Sequence, residues 1–174
     1  MTKETFNDCL LKIRTGDKHA TEAIYNEYYE KFKFTAMFIL HSESLSEDAA
    51  SFALCKIFEN AVSNKILSVE YPSSYMYKTI RNTAFDILKA ERKFVSLDDV
   101  KEPFVSIENK ILNRVSVRDA IAKLPPTDFR IVEMFYLYRF KIKDIVKELE
   151  LPEGTVKWRL KQCRKKLRKY LKEK

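Results

Sequence analysis

Glycine is nearly absent from this chain, with two residues in 174, and its longest apolar runs fall well short of a membrane span. A transmembrane helix needs about 20 consecutive apolar residues, so we expect no membrane insertion. Lys, Glu, Leu and Ile are common instead, and these residues favour helices over a turn-rich β protein. The start lacks a signal-peptide pattern. The sequence therefore predicts an all-α, cytoplasmic protein.

Cysteine and histidine are also scarce. The three cysteines, Cys9, Cys55 and Cys163, are odd in number and far apart, which is typical of buried thiols in a reducing compartment. His19 and His41 lack partners at metal-ligand spacing, and the chain has no Gly-rich phosphate loop, nucleophile motif or paired acidic cluster. We therefore expect no enzymatic activity, no metal, no cofactor and no small-molecule substrate.

Positive charge is confined to one end of the sequence. Residues 151–174 hold ten Lys/Arg against two acids, which equals the net charge of +8 of the whole chain. A local cationic excess indicates a polyanionic partner, with nucleic acid as the first candidate. The alternative is a solvated basic face on an ordinary terminal helix.

Apolar periodicity predicts two small helical domains, residues 1–94 and 107–174, joined by a flexible linker at 95–106 that breaks the period. In the first domain we expect a short stripe at Phe6–Ile13 and the helices Ala20–Leu40, Glu47–Ala61 with Ser46 as its cap, and Tyr75–Lys93 capped by Ser74. In the second we expect the helices Ile107–Leu124, Asp128–Tyr138 capped by Thr127, Ile142–Leu149 and Pro152–Leu171.

The last two predicted helices form a helix-turn-helix. The inward stripe of the final helix recurs at four and three residues and consists of Val156, Leu160, Cys163, Leu167 and Tyr170. The side chains left facing outward are Thr155, Lys157, Trp158, Arg159, Lys161, Gln162, Arg164 and Lys165. A short helix followed by one with a basic outer face is the geometry that enters a DNA major groove.

Motifs in both halves resemble one family. Lys123–Leu171, with its Leu-Pro-Pro stop and its Gly154–Lys157 turn into the last helix, resembles region four of the sigma-70 family of bacterial RNA polymerase sigma factors. Ser46–Phe58 and Tyr75–Lys93 resemble the family's region two. The chain is thus identified as similar to the two-domain extracytoplasmic-function (ECF) group. Arg139 and Glu150 depart from the pattern, which often has glycine there.

This resemblance implies a transcription initiation factor that binds core RNA polymerase and promoter DNA, with an anti-sigma factor as a further candidate partner. The −35 element would be read by the outward residues of the last helix given above. The −10 element would be read and melted by Tyr75, Tyr77, Lys78, Arg81, Asn82, Lys89, Arg92 and Lys93, with a flipped base captured by the loop Leu67–Ser74. Core polymerase would be contacted by Asp48, Phe52 and Lys56.

Alternatives remain open at individual residues and for the whole chain. Tyr75, Tyr77 and Phe52 are also candidates for core packing, and Asn82 for a purely structural place in its helix. The main rival function is a helix-turn-helix regulator that acts without core polymerase. A protein-binding helical module is a further rival, against which the basic tail argues.

Overall fold

The protein is represented by a computed structural model that describes residues 1–94 and 117–172, with side chains for 1–91 and 120–170. Every regular element in these ranges is helical, which confirms the all-α prediction. The chain divides into two compact units, Met1–Val105 and Ser106–Lys174. The predicted linker at 95–106 lies outside the described residues. Among the helices that are described, none has the length and apolar character to cross a membrane.

The N-terminal unit has an aromatic-rich core. Its helices are α1 (Lys3–Arg14), α2 (Lys18–Leu40), α3 (Glu43–Val62) and α4 (Pro72–Phe94). The long α2 packs against the other three, because its apolar side chains recur every three or four residues along one face. Burial raises the pKa of the Tyr28 hydroxyl on that face to about 12. The largest fully buried side chains of the unit include Phe6, Leu10, Ile24, Phe32, Ile57, Tyr77 and Ile80.

Polar side chains begin the first three helices, as the preferences of N-cap positions predict. Thr2, Asp17 and Ser42 each accept a hydrogen bond from a backbone amide of the following turn. The prediction that Ser46 caps α3 is therefore wrong. Ser46 lies one turn inside the helix, is fully buried, and its hydroxyl donates to the Ser42 carbonyl at 2.5 Å.

Two other predicted helix starts are displaced by proline. The helix α4 begins at Pro72 rather than after Ser74, and Pro126 rather than Thr127 provides the first helical position of α6 (Pro126–Val132). Proline favours this position because its fixed φ suits a helix and its missing N–H would have no partner there. The sequence identified these two helices correctly but placed their starts three and two residues too late.

The C-terminal unit adds three further helices to α6: α5 (Val117–Ala122), α7 (Ile142–Leu149) and α8 (Glu153–Lys172). The last of these, α8, packs against α5, α6 and α7. The predicted helix Ile107–Leu124 is described only from Val117. After α6 the backbone widens into a π-helical segment at Glu133–Leu137. The core of this unit contains Phe129, Ile131, Met134, Ile145, Val156 and Cys163.

The three cysteines are free thiols, but they are not all buried. Cys9 and Cys163 lie in the cores of their units, as predicted, whereas Cys55 is exposed on α3. The expectation of a buried Cys55 is wrong, because the packed face of α3 is formed by Ala53, Leu54 and Ile57.

Candidate nucleic-acid interface

The connection between α7 and α8 is a tight turn at residues 150–152. Glu150 ends α7 with a φ of 53°, and the Leu151 amide donates to the Val146 carbonyl over 3.3 Å. Arg139, which precedes α7, has a φ of 56°. Left-handed backbone costs a non-glycine residue about 1 kcal/mol. Both residues that stand where the family often has glycine, Arg139 and Glu150, thus adopt the left-handed conformation that glycine would adopt.

The inner side of α8 holds it against the rest of its unit. Val156, Leu160 and Cys163 are buried, as the four-three spacing predicts. Burial raises the pKa of the Cys163 thiol to about 11, so this side chain is a neutral packing group at physiological pH. The orientation of α8 about its own axis is thereby fixed, and so is the choice of residues that face outward.

The outer side of α8 is basic along its described length. Lys157 pairs with Glu153, one turn earlier, at 2.5 Å. Both side chains are largely exposed, and such an ion pair contributes little to stability. The predicted DNA-facing residues that are exposed are Lys157, Trp158, Lys161, Arg164 and Lys165, with Thr155 and Gln162 half-buried beside them. This surface offers cations for phosphates and an indole and an amide for base edges.

Arg159, also half-buried, differs from the other residues of that surface because it has a buried partner. Its Nη1 lies 2.7 Å from the Oδ1 atom of Asp128, whose side chain is 6% exposed. Lys166 approaches the other oxygen of the same carboxylate at 3.3 Å. A buried carboxylate needs such partners because it has lost its water. Arg159 thereby joins α8 to the start of α6, while its side chain remains 33% exposed, so its role in reading bases stays a prediction.

Tyr136 is a residue of the candidate interface that the sequence interpretation missed. It is exposed on the π-helical segment, and its hydroxyl accepts a hydrogen bond from Nε of Arg164 at 2.7 Å. The guanidinium also lies 6.0 Å from the centre of the Tyr136 ring. Tyr136 thus orients one cation of the outer face. No periodic signal marked it, because the π-helical segment shifts the register of the helix.

The second candidate surface is a stripe along α4 in the N-terminal unit. Lys78, Asn82 and Lys89 are exposed and Arg81 is half-buried, whereas Arg92 and Lys93 lie in α4 with side chains outside the described residues. Tyr77 is fully buried, so the predicted stacking role for its ring is corrected to core packing. Its spacing from Ile80 and Ala84, three and seven residues, was a signal of this burial.

Tyr75 lies at the boundary between core and surface. It is half-buried, and this burial raises the pKa of its hydroxyl, while hydrogen bonds with Thr79 and Asn60 act in the opposite direction. The ring is therefore fixed on α4 with part of one face accessible.

Two exposed aromatic residues extend the stripe beyond the predicted set. Tyr71, directly before α4, and Phe85, within it, are exposed, and the Arg81 guanidinium lies 5.2 Å from the centre of the Phe85 ring. With these additions, positions at alternating four- and three-residue spacing hold Tyr71, Tyr75, Lys78, Asn82, Phe85 and Lys89. That spacing was the signal in the sequence that could have found them. Aromatic rings interleaved with cations suit single-stranded nucleic acid.

A third set of predicted residues lies on α3. Asp48, Phe52 and Lys56 are all exposed, and they share one face because they are four residues apart. Phe52 is 60% exposed, although Ala49 and Ala53 beside it are fully buried. The sequence left Phe52 between core and surface, and the structure places it on the surface. An exposed aromatic beside charges is typical of a protein-binding anchor.

We also searched the described part of the chain for a metal site. Among those residues no group of three or more His, Cys, Asp and Glu side chains is placed to hold a metal ion. The three polar surfaces are instead exposed faces of helices. The fold and its basic helix-turn-helix thus define a DNA-binding protein of two helical units.

Comparison with known proteins narrows this class. Residues 114–167 match the family model of sigma-70, region 4, which confirms the resemblance of the C-terminal unit to that region. The matched residues include all of α7 and most of α8. No curated protein sequence matches the chain.

Solved structures support the fold. The structure of CnrH in complex with the cytosolic domain of CnrY is similar with a TM-score of 0.57 and 11% identity, covering 96% of this chain and 97% of that one. The RsbN–BldN complex has a TM-score of 0.39 and 14% identity, covering 93% and 99%, and this low score supports no conclusion. The first likeness shows a shared fold along nearly the whole length of both chains.

Proposed function

We propose that this protein is a sigma factor of the ECF type, which binds core RNA polymerase and directs it to promoters by reading −10 and −35 elements. The observation that carries the proposal is the presence, in one chain, of a sigma-70 region 4 helix-turn-helix and a second helical unit with an exposed stripe of aromatic and cationic residues. A factor that only docks on duplex DNA has no need of the second surface.

In this proposal the C-terminal unit, predicted as residues 107–174, reads the −35 element as duplex DNA. The outward side chains of α8 enter the major groove, where Gln162 and Trp158 meet base edges and Lys157, Lys161 and Lys165 contact phosphates. Arg159 acts indirectly, because its bond to Asp128 sets the angle between α8 and α6. It is thus a positioning residue.

The N-terminal unit, predicted as residues 1–94, has the task of holding the opened −10 element. Unstacked bases need flat apolar partners, and their phosphates need cations. The rings come from Tyr75 and Phe85 on α4 and from Tyr71 directly before it. The charges come from Lys78, Arg81 and Lys89. Asn82 lies between them and has the donor and acceptor to bond a base. Arg92 and Lys93 continue the same helix in sequence.

We assign the binding of core polymerase to the exposed face of α3 that contains Asp48, Phe52 and Lys56. Support comes from the 60% exposure of Phe52, since large exposed aromatics often dominate protein interfaces. Replacing Phe52 by Ala should weaken co-purification with core polymerase, while Val62→Ala, which removes a side chain 57% exposed on the same helix, should not. Equal losses in both variants would remove Phe52 from the interface.

A protein inhibitor is a further proposed partner. The similar fold of CnrH is seen in complex with the cytosolic domain of CnrY, and an anti-sigma factor of this kind would cover surfaces that polymerase or DNA needs. We propose no catalytic activity, since a sigma factor acts by binding alone. Acting with polymerase would place the protein in the cytoplasm.

The decisive experiment is run-off transcription with purified protein, core RNA polymerase and genomic DNA. We expect discrete start sites that depend on the added protein. Transcripts that are the same with and without it would overturn the proposal.

The second candidate function is a helix-turn-helix regulator without a polymerase partner. It is favoured by the family match, which covers only residues 114–167. It predicts a gel shift with specific duplex DNA and no co-purification with core enzyme.

A further inference from the structure

Two borders separate the buried side of α8 from its outward side. Residues seven apart share a side of a helix, and residues two apart lie about 200° from each other around its axis. Lys157 and Arg164 therefore lie along one border, and Arg159 and Lys166 lie along the other. When such a helix enters a major groove, its two borders are the parts nearest to the phosphates on either side of the groove.

The cations of the second border are engaged within the protein. Arg159 and Lys166 both lie against the buried carboxylate of Asp128, at 2.7 and 3.3 Å. A buried carboxylate that loses such partners is strongly unfavourable. Turning either cation towards a phosphate therefore has a cost on this border.

Arg164, on the first border, has a neutral partner instead. Its Nε donates to the Tyr136 hydroxyl at 2.7 Å. Because a hydroxyl carries no charge, Arg164 keeps its full positive charge while the direction of its guanidinium is fixed. The two Nη groups can still donate together to the oxygens of one phosphate, which is the strong bidentate arrangement for arginine.

Tyr136 is itself held in place by its neighbours in the π-helical segment. Met134 is fully buried and Tyr138 is 2% exposed, and the Tyr138 amide donates to the Glu133 carbonyl at 3.2 Å. The Phe135 ring lies edge-on to the Tyr136 ring, with 5.0 Å between their centres. The Tyr136 hydroxyl is consequently a well-fixed acceptor, although its ring is 49% exposed.

The exposed charge on the two elements that form this pair is positive. From Gly154 to Tyr170 the sequence of α8 contains no acid, and Glu153 lies about three turns before Arg164. The acid of the π-helical segment, Glu133, is 2% exposed. This surface suits an anion.

We propose that Tyr136 and Arg164 form a contact site for one backbone phosphate of duplex DNA, in which Tyr136 is the positioning residue that aims the Arg164 guanidinium at the phosphate. The inference rests on the proposed reading of duplex DNA by α8. It adds to that function a residue that lies before the helix-turn-helix, and it assigns the stronger phosphate contact to the border of Arg164 rather than to that of Arg159.

A double-mutant cycle on the full-length protein tests the positioning role. The probe is a short duplex of fixed, arbitrary sequence, because a phosphate contact carries no base information. We expect Tyr136→Phe to weaken duplex binding roughly fivefold, the factor that corresponds to a typical net hydrogen bond. In an Arg164→Met background the same change should have no effect, since the group that Tyr136 orients is gone. Tyr25→Phe, at a tyrosine exposed on α2, is the matched control and should bind like the unchanged protein.

The salt dependence of duplex binding provides the second measurement. Arg164→Met should lower the slope of log affinity against log salt by about one, as expected for one lost phosphate contact. A merely structural role of the pair would leave this slope unchanged. Denaturation followed by Trp158 fluorescence should give the same midpoint for Tyr136→Phe and the unchanged protein, because the substituted hydroxyl lies at the surface.

The outcomes separate this inference from the function on which it rests. Equal effects of Tyr136→Phe in the two backgrounds would overturn the positioning role. An unchanged salt slope in Arg164→Met would overturn the phosphate contact, and weaker co-purification of that variant with core polymerase would then assign the pair to a protein partner. Both results are compatible with successful run-off transcription, whereas failed transcription contradicts the sigma-factor proposal itself.

Discussion

The two helical units present charge in opposite ways. The first 95 residues contain thirteen basic and thirteen acidic residues, whereas residues 151–174 contain ten and two. In the N-terminal unit a few cations alternate with exposed rings along α4. In the C-terminal unit the cations are abundant, but Arg159 and Lys166 are bound to the buried Asp128. Net charge therefore marks only the C-terminal unit as a candidate nucleic-acid surface, and local contacts show which of its cations already have a partner within the protein.

This difference corresponds to two forms of DNA. A duplex presents dense phosphates, so a surface rich in cations binds it through released counterions. Opened strands expose base faces, so rings are needed there and fewer charges suffice. The neutral unit with exposed aromatic residues and the cationic unit with a helix-turn-helix suit these two forms respectively.

The largest effect is expected from breaking the Asp128–Arg159 pair. Arg159→Ala leaves a carboxylate that is nearly inaccessible to water with only Lys166 as its partner, which should cost about 2 kcal/mol of unfolding free energy in the C-terminal unit. The fluorescence of Trp158, the single tryptophan, reports on this unit during denaturation. Lys161→Ala, an exposed change on the same helix, should leave stability unaltered. If both variants are equally stable, Arg159 is free to face DNA as the sequence suggested.

The salt dependence of DNA binding sharpens the contrast in charge. Replacing Lys157, Lys161 and Lys165 by Gln should lower the slope of log affinity against log salt by about three for duplex DNA, roughly one for each phosphate contact. The charge-matched control replaces three exposed lysines of the N-terminal unit, Lys12, Lys18 and Lys65. An identical drop in the control would mean that overall charge, not the face of α8, governs binding. Filter binding over a range of salt concentrations measures both slopes.

Backbone strain in the C-terminal unit gives a smaller effect of opposite sign. Glu150→Gly removes a side chain from a residue with a φ of 53° and should stabilise the unit by up to about 1 kcal/mol. Lys147→Gly, inside α7, should destabilise it by a similar amount, because glycine weakens a helix interior. Denaturation curves followed by Trp158 fluorescence compare the two. A loss of stability in Glu150→Gly would show that the turn gains more from its side chain than it loses in strain.

Thiol accessibility gives the smallest effect, with no expected change in stability. An alkylating reagent should label Cys55 in the native protein and spare Cys9 and Cys163, since both are buried and burial raises the pKa of both thiols. Mass spectrometry of the labelled peptides checks this. Rapid labelling of Cys163 would indicate that the C-terminal unit opens readily.

Periodicity predicted the packed sides of the helices well. The stripe Phe6, Cys9, Leu10 and Ile13 is buried, and so are Val156, Leu160 and Cys163, because a spacing of three and four residues leaves one side of a helix to pack. Residues at the edges of these stripes were less predictable. Tyr77 and Arg159 both border the buried face of their helix. How closely the neighbouring helices pack there decides whether such a side chain is buried or exposed.

The sequence by itself determined the helical fold, the place of the helix-turn-helix and the cationic surface, since composition, local spacing and charge are properties of short segments. The tertiary structure decided which side chains reach that surface. It buried Asp128 next to Arg159, set Tyr136 against Arg164, and joined Asn7 to Val69 across 62 residues of chain. Such contacts depend on how separate helices pack, and nothing in the spacing along one helix encodes its partner on another.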